Sequence, residues 1–220
     1  MAQRPERRIT MIKKNWKLLL ITSLVILLPM AAGLLLWNRL PERIPSHWNA
    51  AGEIDGWSGK SLVVFGLPLI MLALQWLCVF ATGADPKKQN HPEKVLQLVF
   101  WIIPVISVVL FIITYAVALG GKVQMDTVMP VLVGLVLTIV GNYLPKCKQN
   151  YTIGIKIPWT LDSEENWNKT HRFAGRIWVV CGLVMMLTGF FGGFWVSMAL
   201  VVVMVIPPLV YSYMLHRRGV

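Results

Sequence analysis

The chain has 220 residues, of which 56% are hydrophobic and only 14% are charged. A soluble globular domain is nearer a quarter charged, so this composition excludes an ordinary soluble enzyme or binding domain. The net charge of +11 suits either a nucleic-acid binder or a membrane protein with basic cytoplasmic loops.

The apolar residues fall in six blocks of about 20, the length that crosses a hydrocarbon core about 30 Å thick. The first block follows a basic leader and is longer than the 7–15 apolar residues of a signal peptide, so we predict an uncleaved anchor. The blocks cover about 18–37, 61–82, 95–119, 124–143, 174–191 and 194–214. We therefore predict an all-α polytopic membrane protein with about six transmembrane helices.

The positions of Lys and Arg predict the orientation of these helices. If the N-terminus is cytoplasmic, the cytoplasmic segments hold 17 Lys and Arg and the outer segments hold 4. This bias explains the basic charge without direct nucleic-acid binding. We predict a bacterial inner-membrane protein with both termini cytoplasmic. Its predicted parts are a leader (1–17), four spans (18–143) with an outer loop (38–60), a cytoplasmic loop (144–172), and two spans with a basic tail (173–220).

The spans and the ionisable residues contain no signature of catalysis. No span has Asp, Glu, Lys, Arg or His near its centre, which argues against a proton-coupled transporter. The four histidines are scattered, and neither HExxH nor GxSxG occurs. Cys78, Cys147 and Cys181 lack CxxC spacing, so we interpret them as unpaired packing residues. We expect no enzyme activity, no cofactor and no metal.

The outer loop combines turn residues with polar and aromatic side chains. Asn49 to Gly52 and Asp55-Gly56 are turn signals, which predict a small turn-rich or hairpin element. Trp37, Trp48 and Trp57 are typical of an interfacial belt. The polar residues of this loop either bind a peptide or hold the loop together by internal hydrogen bonds, and a metal site at His47 is a third reading.

The inner loop is non-helical in its first half, because of Pro158 and the preceding turn residues. Asp162 and Glu165 fit a variant of the capping box, so we predict a helix from near Ser163. That helix has Trp167, Thr170, His171, Ala174 and Trp178 on one face and Lys169, Arg172 and Arg176 on another. Such a helix is either a headgroup anchor or a docking site for a cytoplasmic partner.

Together the two loops resemble the SdpI family of bacterial immunity proteins. The outer match is Ile44-Pro45-x-His47-Trp48-Asn49-x-x-Gly52-x-x-Asp55-x-x-x-x-Lys60. The inner match comprises Gly141-Asn142, Pro145-Lys146, Asn150-Tyr151, Gly154-Ile155, Pro158 to Leu161, Trp167 and Thr170-His171-Arg172. Lys156, where an Arg is common, departs from the family pattern and offers a point charge instead of a bidentate guanidinium.

The resemblance implies a membrane protein that protects its producer against a secreted antimicrobial peptide, the sporulation-delaying toxin. It also implies a cytoplasmic autorepressor held at the membrane as a partner, besides membrane lipids. We expect the toxin-binding residues to be His47, Trp48, Asn49, Glu53, Asp55 and Lys60. We expect the signalling residues to be Asn150, Trp159, Trp167, Thr170, His171 and Arg172. The alternatives are a small exporter or channel for a peptide or lipid, and a metal-assisted membrane hydrolase.

Overall fold

The computed structural model describes the backbone of residues 6–191 and 194–220, and the side chains of residues 12–191 and 195–220. Arg4 of the predicted basic leader, and the side chains of Arg7 and Arg8, lie outside the described part. The first helix begins at Glu6, within that leader.

The described chain is mainly helical, and six of its helices are long and apolar enough to cross a membrane. The prediction of a helical polytopic membrane protein is therefore confirmed. The helices are α1 (Glu6–Leu35), α2 (Leu67–Ala84, preceded by a π-helical turn at Leu62–Gly66), α3 (Glu93–Ala118), α4 (Met125–Tyr143), α5 (Pro158–Asp162), α6 (Glu164–Gly189) and α7 (Phe194–Arg217).

The outer loop is an antiparallel hairpin of β1 (Arg43–Trp48) and β2 (Ile54–Gly59), which confirms the predicted hairpin element. The register is irregular twice, between Pro45 and His47 and between His47 and Trp48. Gly52 has φ of 77°, the left-handed conformation that glycine adopts without steric cost in a turn.

The inner loop corrects one sequence prediction. Residues 147–157 are non-helical, as predicted for the first half of the loop. Pro158 itself, however, begins the short helix α5, because proline is tolerated in a first helical turn, where its missing N–H has no partner to lose. The start of α6 is confirmed near Ser163, although the cap is the Ser163 hydroxyl, which accepts from the Asn166 N–H at 3.1 Å, and not Asp162.

The chain forms two compact units. The first comprises Met1–Ala84 and Leu96–Val123, and the second Asp85–Val95 and Gln124–Val220. In the first unit a buried cluster lies beneath the hairpin, and it consists of Leu40, Ile44, Val63, Val64, Phe111 and Tyr115. Gln75 of α2 donates to the Thr22 hydroxyl of α1 at 2.5 Å, and the Trp76 indole donates to the Ser23 hydroxyl at 3.2 Å, so two polar contacts join these apolar helices.

The second unit is built on the close approach of α4 and α6. A Cβ at Gly134 would lie 2.6 Å from the Gly182 carbonyl oxygen, and one at Gly175 would lie 2.7 Å from that of Gly141. Two glycines seven residues apart on each helix thus let antiparallel backbones touch, as small residues commonly do in membranes. Trp178 of α6 then joins α7 by donating to the Met204 carbonyl at 3.0 Å.

Candidate functional site

A histidine–aspartate pair lies across the two strands of the outer hairpin. His47 Nδ1 and Asp55 Oδ1 are 2.5 Å apart, and the side chains are 71% and 45% exposed. Gly56 lies opposite His47, where a Cβ would come within 2.7 Å of the His47 Cβ. The pairing uses Nδ1 of the imidazole, so Nε2 is left to contact a molecule from outside.

Asn49 and Glu53, two further predicted binding residues, close the hairpin turn. Asn49 Oδ1 accepts from the backbone N–H groups of Ala51 at 2.9 Å and Glu53 at 3.0 Å. Its amide also donates to the Glu53 carboxylate at 3.2 Å. For Asn49 and Glu53, these contacts support the alternative in which the polar residues hold the loop together by internal hydrogen bonds.

Lys60 is buried at the base of the hairpin, with 7% of the residue exposed. Its ammonium pairs with Glu42 at 2.8 Å and donates to the carbonyls of Trp37 and Leu40, each at 3.3 Å. It also lies 4.7 Å from the centroid of the Trp37 ring. Lys60 therefore attaches the hairpin to the segment that follows α1.

The aromatic residues of the hairpin differ in accessibility. Trp48 is half-buried, whereas Trp57 is 52% exposed and Ile54 is 36% exposed. Sequence reasoning assigned Trp57 to an interfacial belt and did not place it among the binding residues.

Within the described side chains, no group of three or more His, Cys, Asp and Glu could hold a metal ion.

In the inner loop, Asn150 organises a tight turn. Its side chain is 1% exposed and donates to the carbonyls of Lys148 and Ile153. Its Oδ1 accepts from the N–H groups of Thr152 and Ile153 at 2.9 and 2.7 Å. The hydrogen bonds of this amide, among the described residues, all lie within the loop itself.

Trp167 and His171 form a buried stack beneath the same turn, with ring centroids 4.0 Å apart. His171 Nε2 accepts from the Ile155 N–H at 2.9 Å, so the proton lies on Nδ1, which donates to the Trp167 carbonyl at 2.8 Å. The indole of Trp167 donates to the Cys147 carbonyl at 2.7 Å. Gly154, with φ of 120°, lies where a side chain would collide with both rings.

Thr170 completes a buried network that joins α6 to α7. Its hydroxyl donates to Asn166 Oδ1 at 3.1 Å, and the Ser212 hydroxyl donates to the same atom at 2.6 Å. The Asn166 amide donates in turn to the Ser212 carbonyl. Sequence reasoning missed Asn166 and Ser212, although a polar residue on the apolar face of a helix was a usable signal.

Trp159 and Arg172, the last two predicted signalling residues, are the accessible ones. Trp159 is partly exposed and stacks on His216 at 5.8 Å between centroids. Arg172 is exposed on α6. The structure thus separates four buried members of the predicted inner set from two members that an outside molecule can reach.

The segment between α2 and α3 anchors the inner loop, and sequence reasoning did not find it. Asp85 is 2% exposed and accepts from the Tyr151 N–H at 2.9 Å and the Thr152 hydroxyl at 2.8 Å. The Asn90 amide donates to the backbone carbonyl of Gln149 at 2.8 Å, and the Lys87 ammonium donates to the Gln149 side-chain oxygen. The second unit therefore contains a buried carboxylate, about 65 residues before the turn that it holds.

Asp85 and His91 have altered pKa values. Burial raises the pKa of Asp85, but the hydrogen bonds from Thr152, Lys87 and Tyr151 and the nearby His91 outweigh it, so that the pKa lies below its usual value. Burial lowers the pKa of His91 despite the opposing effect of Asp85, 3.5 Å away. Burial also raises the pKa of the Cys147 thiol to about 11.

Comparison with known proteins identifies relatives of both loops. Residues 146–212 match the model of the SdpI/YfhL protein family, and residues 24–72 match the family described as a domain of unknown function, DUF1648. The chain is 28% identical over 194 residues to "Immunity protein SdpI" of Bacillus subtilis (strain 168), covering 88% of this chain and 90% of that protein.

The resemblance to the SdpI family is confirmed. The first matched region contains the hairpin, and the second contains the inner loop from residue 146 onward, with α5, α6 and most of α7. No solved structure matches the chain.

Proposed function

We propose that this chain is a membrane immunity protein of a bacterial cell membrane, and that it protects the cell against a secreted antimicrobial peptide. The supporting observation is the 28% identity, over most of both chains, to a protein named for immunity. The six membrane-spanning helices are consistent with a defence located where such a peptide acts.

The outer hairpin is the proposed site for the peptide. Of its six predicted residues, His47 and Asp55 are the exposed pair, while Asn49, Glu53 and Lys60 also make contacts that maintain the hairpin. Trp57 adds an exposed aromatic side chain, the residue type that most often supplies binding energy at interfaces. An imidazole–carboxylate pair beside an indole suits a peptide with both polar and apolar side chains.

The inner loop is the proposed contact for a cytoplasmic regulator. Trp159 offers a partly exposed aromatic ring, and Arg172 offers an exposed guanidinium. Asn150, Trp167, Thr170 and His171 act by holding the loop in shape, since their polar groups bind one another and the neighbouring backbone. This division assigns partner contact and loop positioning to different residues.

A survival assay tests the outer site. A toxin-sensitive bacterium expressing the chain is challenged with sporulation-delaying peptide, beside a His47→Ala/Asp55→Ala variant at equal membrane level. We expect protection by the unchanged chain and loss of protection in the variant. A Ser46→Ala/Ser58→Ala variant is the matched control, because it removes another cross-strand side-chain contact of the same hairpin.

The outcomes separate the proposal from its alternatives. Equal protection by both hairpin variants would reject the His47–Asp55 assignment, and no protection by the unchanged chain would reject immunity to this peptide. Loss of intact peptide during incubation with protein-loaded vesicles would indicate a hydrolase. Peptide export that depends on the proton gradient would indicate a transporter.

A further inference from the structure

One face of α6 carries cations at its beginning and apolar side chains along the rest. Arg172 and Arg176 are four residues apart and both exposed. Val180, Leu183 and Leu187 continue the same face and are 59%, 46% and 65% exposed. At 100° per residue these five side chains fall within a stripe about 80° wide.

The two arginines lack an acidic partner within the part of the chain that the structure describes. One turn earlier, Lys169 is paired with Glu165 at 2.6 Å, so the cation at that position is already neutralised. No such ion pair involves Arg172 or Arg176 among the described side chains. Two neighbouring guanidinium groups repel each other, and an anion between them removes that cost.

The dimensions of the stripe match one phospholipid. Arg176 and Leu187 are eleven residues apart, which is about 16 Å along a helix, close to half of a hydrocarbon core about 30 Å thick. A phosphate at the arginines would therefore place an acyl chain along Val180, Leu183 and Leu187. Guanidinium suits this role because it binds phosphate oxygens in a bidentate manner.

We propose that the exposed face of α6 binds an anionic phospholipid, with its phosphate at Arg172 and Arg176 and an acyl chain along Val180, Leu183 and Leu187. The site is separate from the hairpin and from the residues that shape the inner loop, which lie on other faces of α6 or in other elements. It shares Arg172 with the proposed regulator contact, so the lipid and the regulator would compete for that guanidinium. A single bound lipid would fix the depth of α6 in the membrane.

Lipid binding is measured by native mass spectrometry of the full chain, titrated with dioleoyl phosphatidylglycerol and, separately, dioleoyl phosphatidylcholine. We expect preferential binding of one phosphatidylglycerol, and roughly tenfold weaker binding in Arg172→Gln/Arg176→Gln. The matched control is Arg217→Gln/Arg218→Gln, which removes the same charge from exposed arginines at the end of α7 and should change binding less than about twofold. An Arg172→Lys/Arg176→Lys variant should bind with intermediate affinity, since it retains charge without the bidentate geometry.

Several outcomes would overturn the proposal. Equal loss in both Gln double variants would indicate general charge attraction, and equal binding of both lipids would exclude recognition of the anion. Competition by millimolar inorganic phosphate as strong as that by the lipid would indicate an ion site without an acyl chain. In a Cys78→Ser background, a disulfide-linked dimer of Val180→Cys, at a yield above that of Val210→Cys, would show that a second copy covers this face instead.

Discussion

Two asparagines close the two signature loops with the same device. Asn49 and Asn150 each accept two backbone N–H groups through the side-chain oxygen. In each loop a glycine of positive φ follows, Gly52 in one and Gly154 in the other, and a tryptophan stands five residues beyond it. A side-chain oxygen that replaces a missing backbone acceptor lets a polar turn fold without a regular strand partner.

Replacing Asn150 with Ala should strongly destabilise the second unit. The change leaves the N–H groups of Thr152 and Ile153 and two carbonyls without their partner in a buried turn, at a cost of about 2–3 kcal/mol. Thermal unfolding in detergent measures it, with the exposed Asn142→Ala as control, which should change stability by less than about 0.5 kcal/mol. Equal melting temperatures for the two variants would contradict this role of Asn150.

Asp85 and His91 predict lower stability in acid. The lowered pKa of His91 means that the unfolded chain binds a proton before the folded chain as the pH falls below 6.5. The lowered pKa of Asp85 acts in the same direction near and below pH 3.8. The melting temperature should therefore fall as the pH is lowered from about 7.5 to about 5. The fall should be smaller in His91→Gln. A steeper or equal slope in His91→Gln would refute the assignment.

At the scale of the elements, the glycines of α4 and α6 determine how closely these helices pack. Gly175→Leu should destabilise the second unit by about 2–3 kcal/mol, because a Cβ there already comes within 2.7 Å of the Gly141 carbonyl oxygen and of Pro145. Val180→Leu on the exposed face of the same helix is the control. Detergent unfolding compares the two, and a similar tolerance of both changes would show that the helices can separate without cost.

At the scale of the whole molecule, the second unit is discontinuous in sequence, since Asp85–Val95 joins Gln124–Val220. Fragments 1–123 and 124–220 expressed together should therefore associate, because Asp85 on the first fragment binds Tyr151 and Thr152 on the second. Fragment 124–220 expressed alone should show faster hydrogen exchange in residues 147–157. Co-purification tests the association, and an Asp85→Ala first fragment should slow or reduce it. Unchanged exchange in the isolated fragment would contradict the anchoring role.

The orientation of the molecule is a prediction that reporter fusions can test. The 17 to 4 distribution of Lys and Arg predicts that both termini are cytoplasmic. A fluorescent protein fused after Val220 should fluoresce, and alkaline phosphatase fused within the hairpin should be active. The reverse pattern would exchange the outer and inner assignments of the two loops.

The sequence by itself determined the helical membrane class, the hairpin and the start of α6. Hydropathy over 20 residues, turn residues such as Asn49 and Gly52, and polar residues before α6 act within a few positions of one another, so no distant contact is needed to read them. The capping residue itself was assigned to Asp162 from the sequence and is Ser163 in the structure. The division into a leader, spans and two loops remains a prediction of the same local kind.

Only the tertiary structure decided which signature residues are accessible. Lys60, Trp167 and His171 have residue types that suit binding, yet all three are buried. The attachment of Asp85 to Thr152 depends on side chains 67 residues apart meeting after the helices pack. Burial and long-range hydrogen bonds are set by packing of the whole unit, which local sequence patterns do not encode, and this is why the exposed His47–Asp55 pair could be distinguished from its neighbours only in the folded chain.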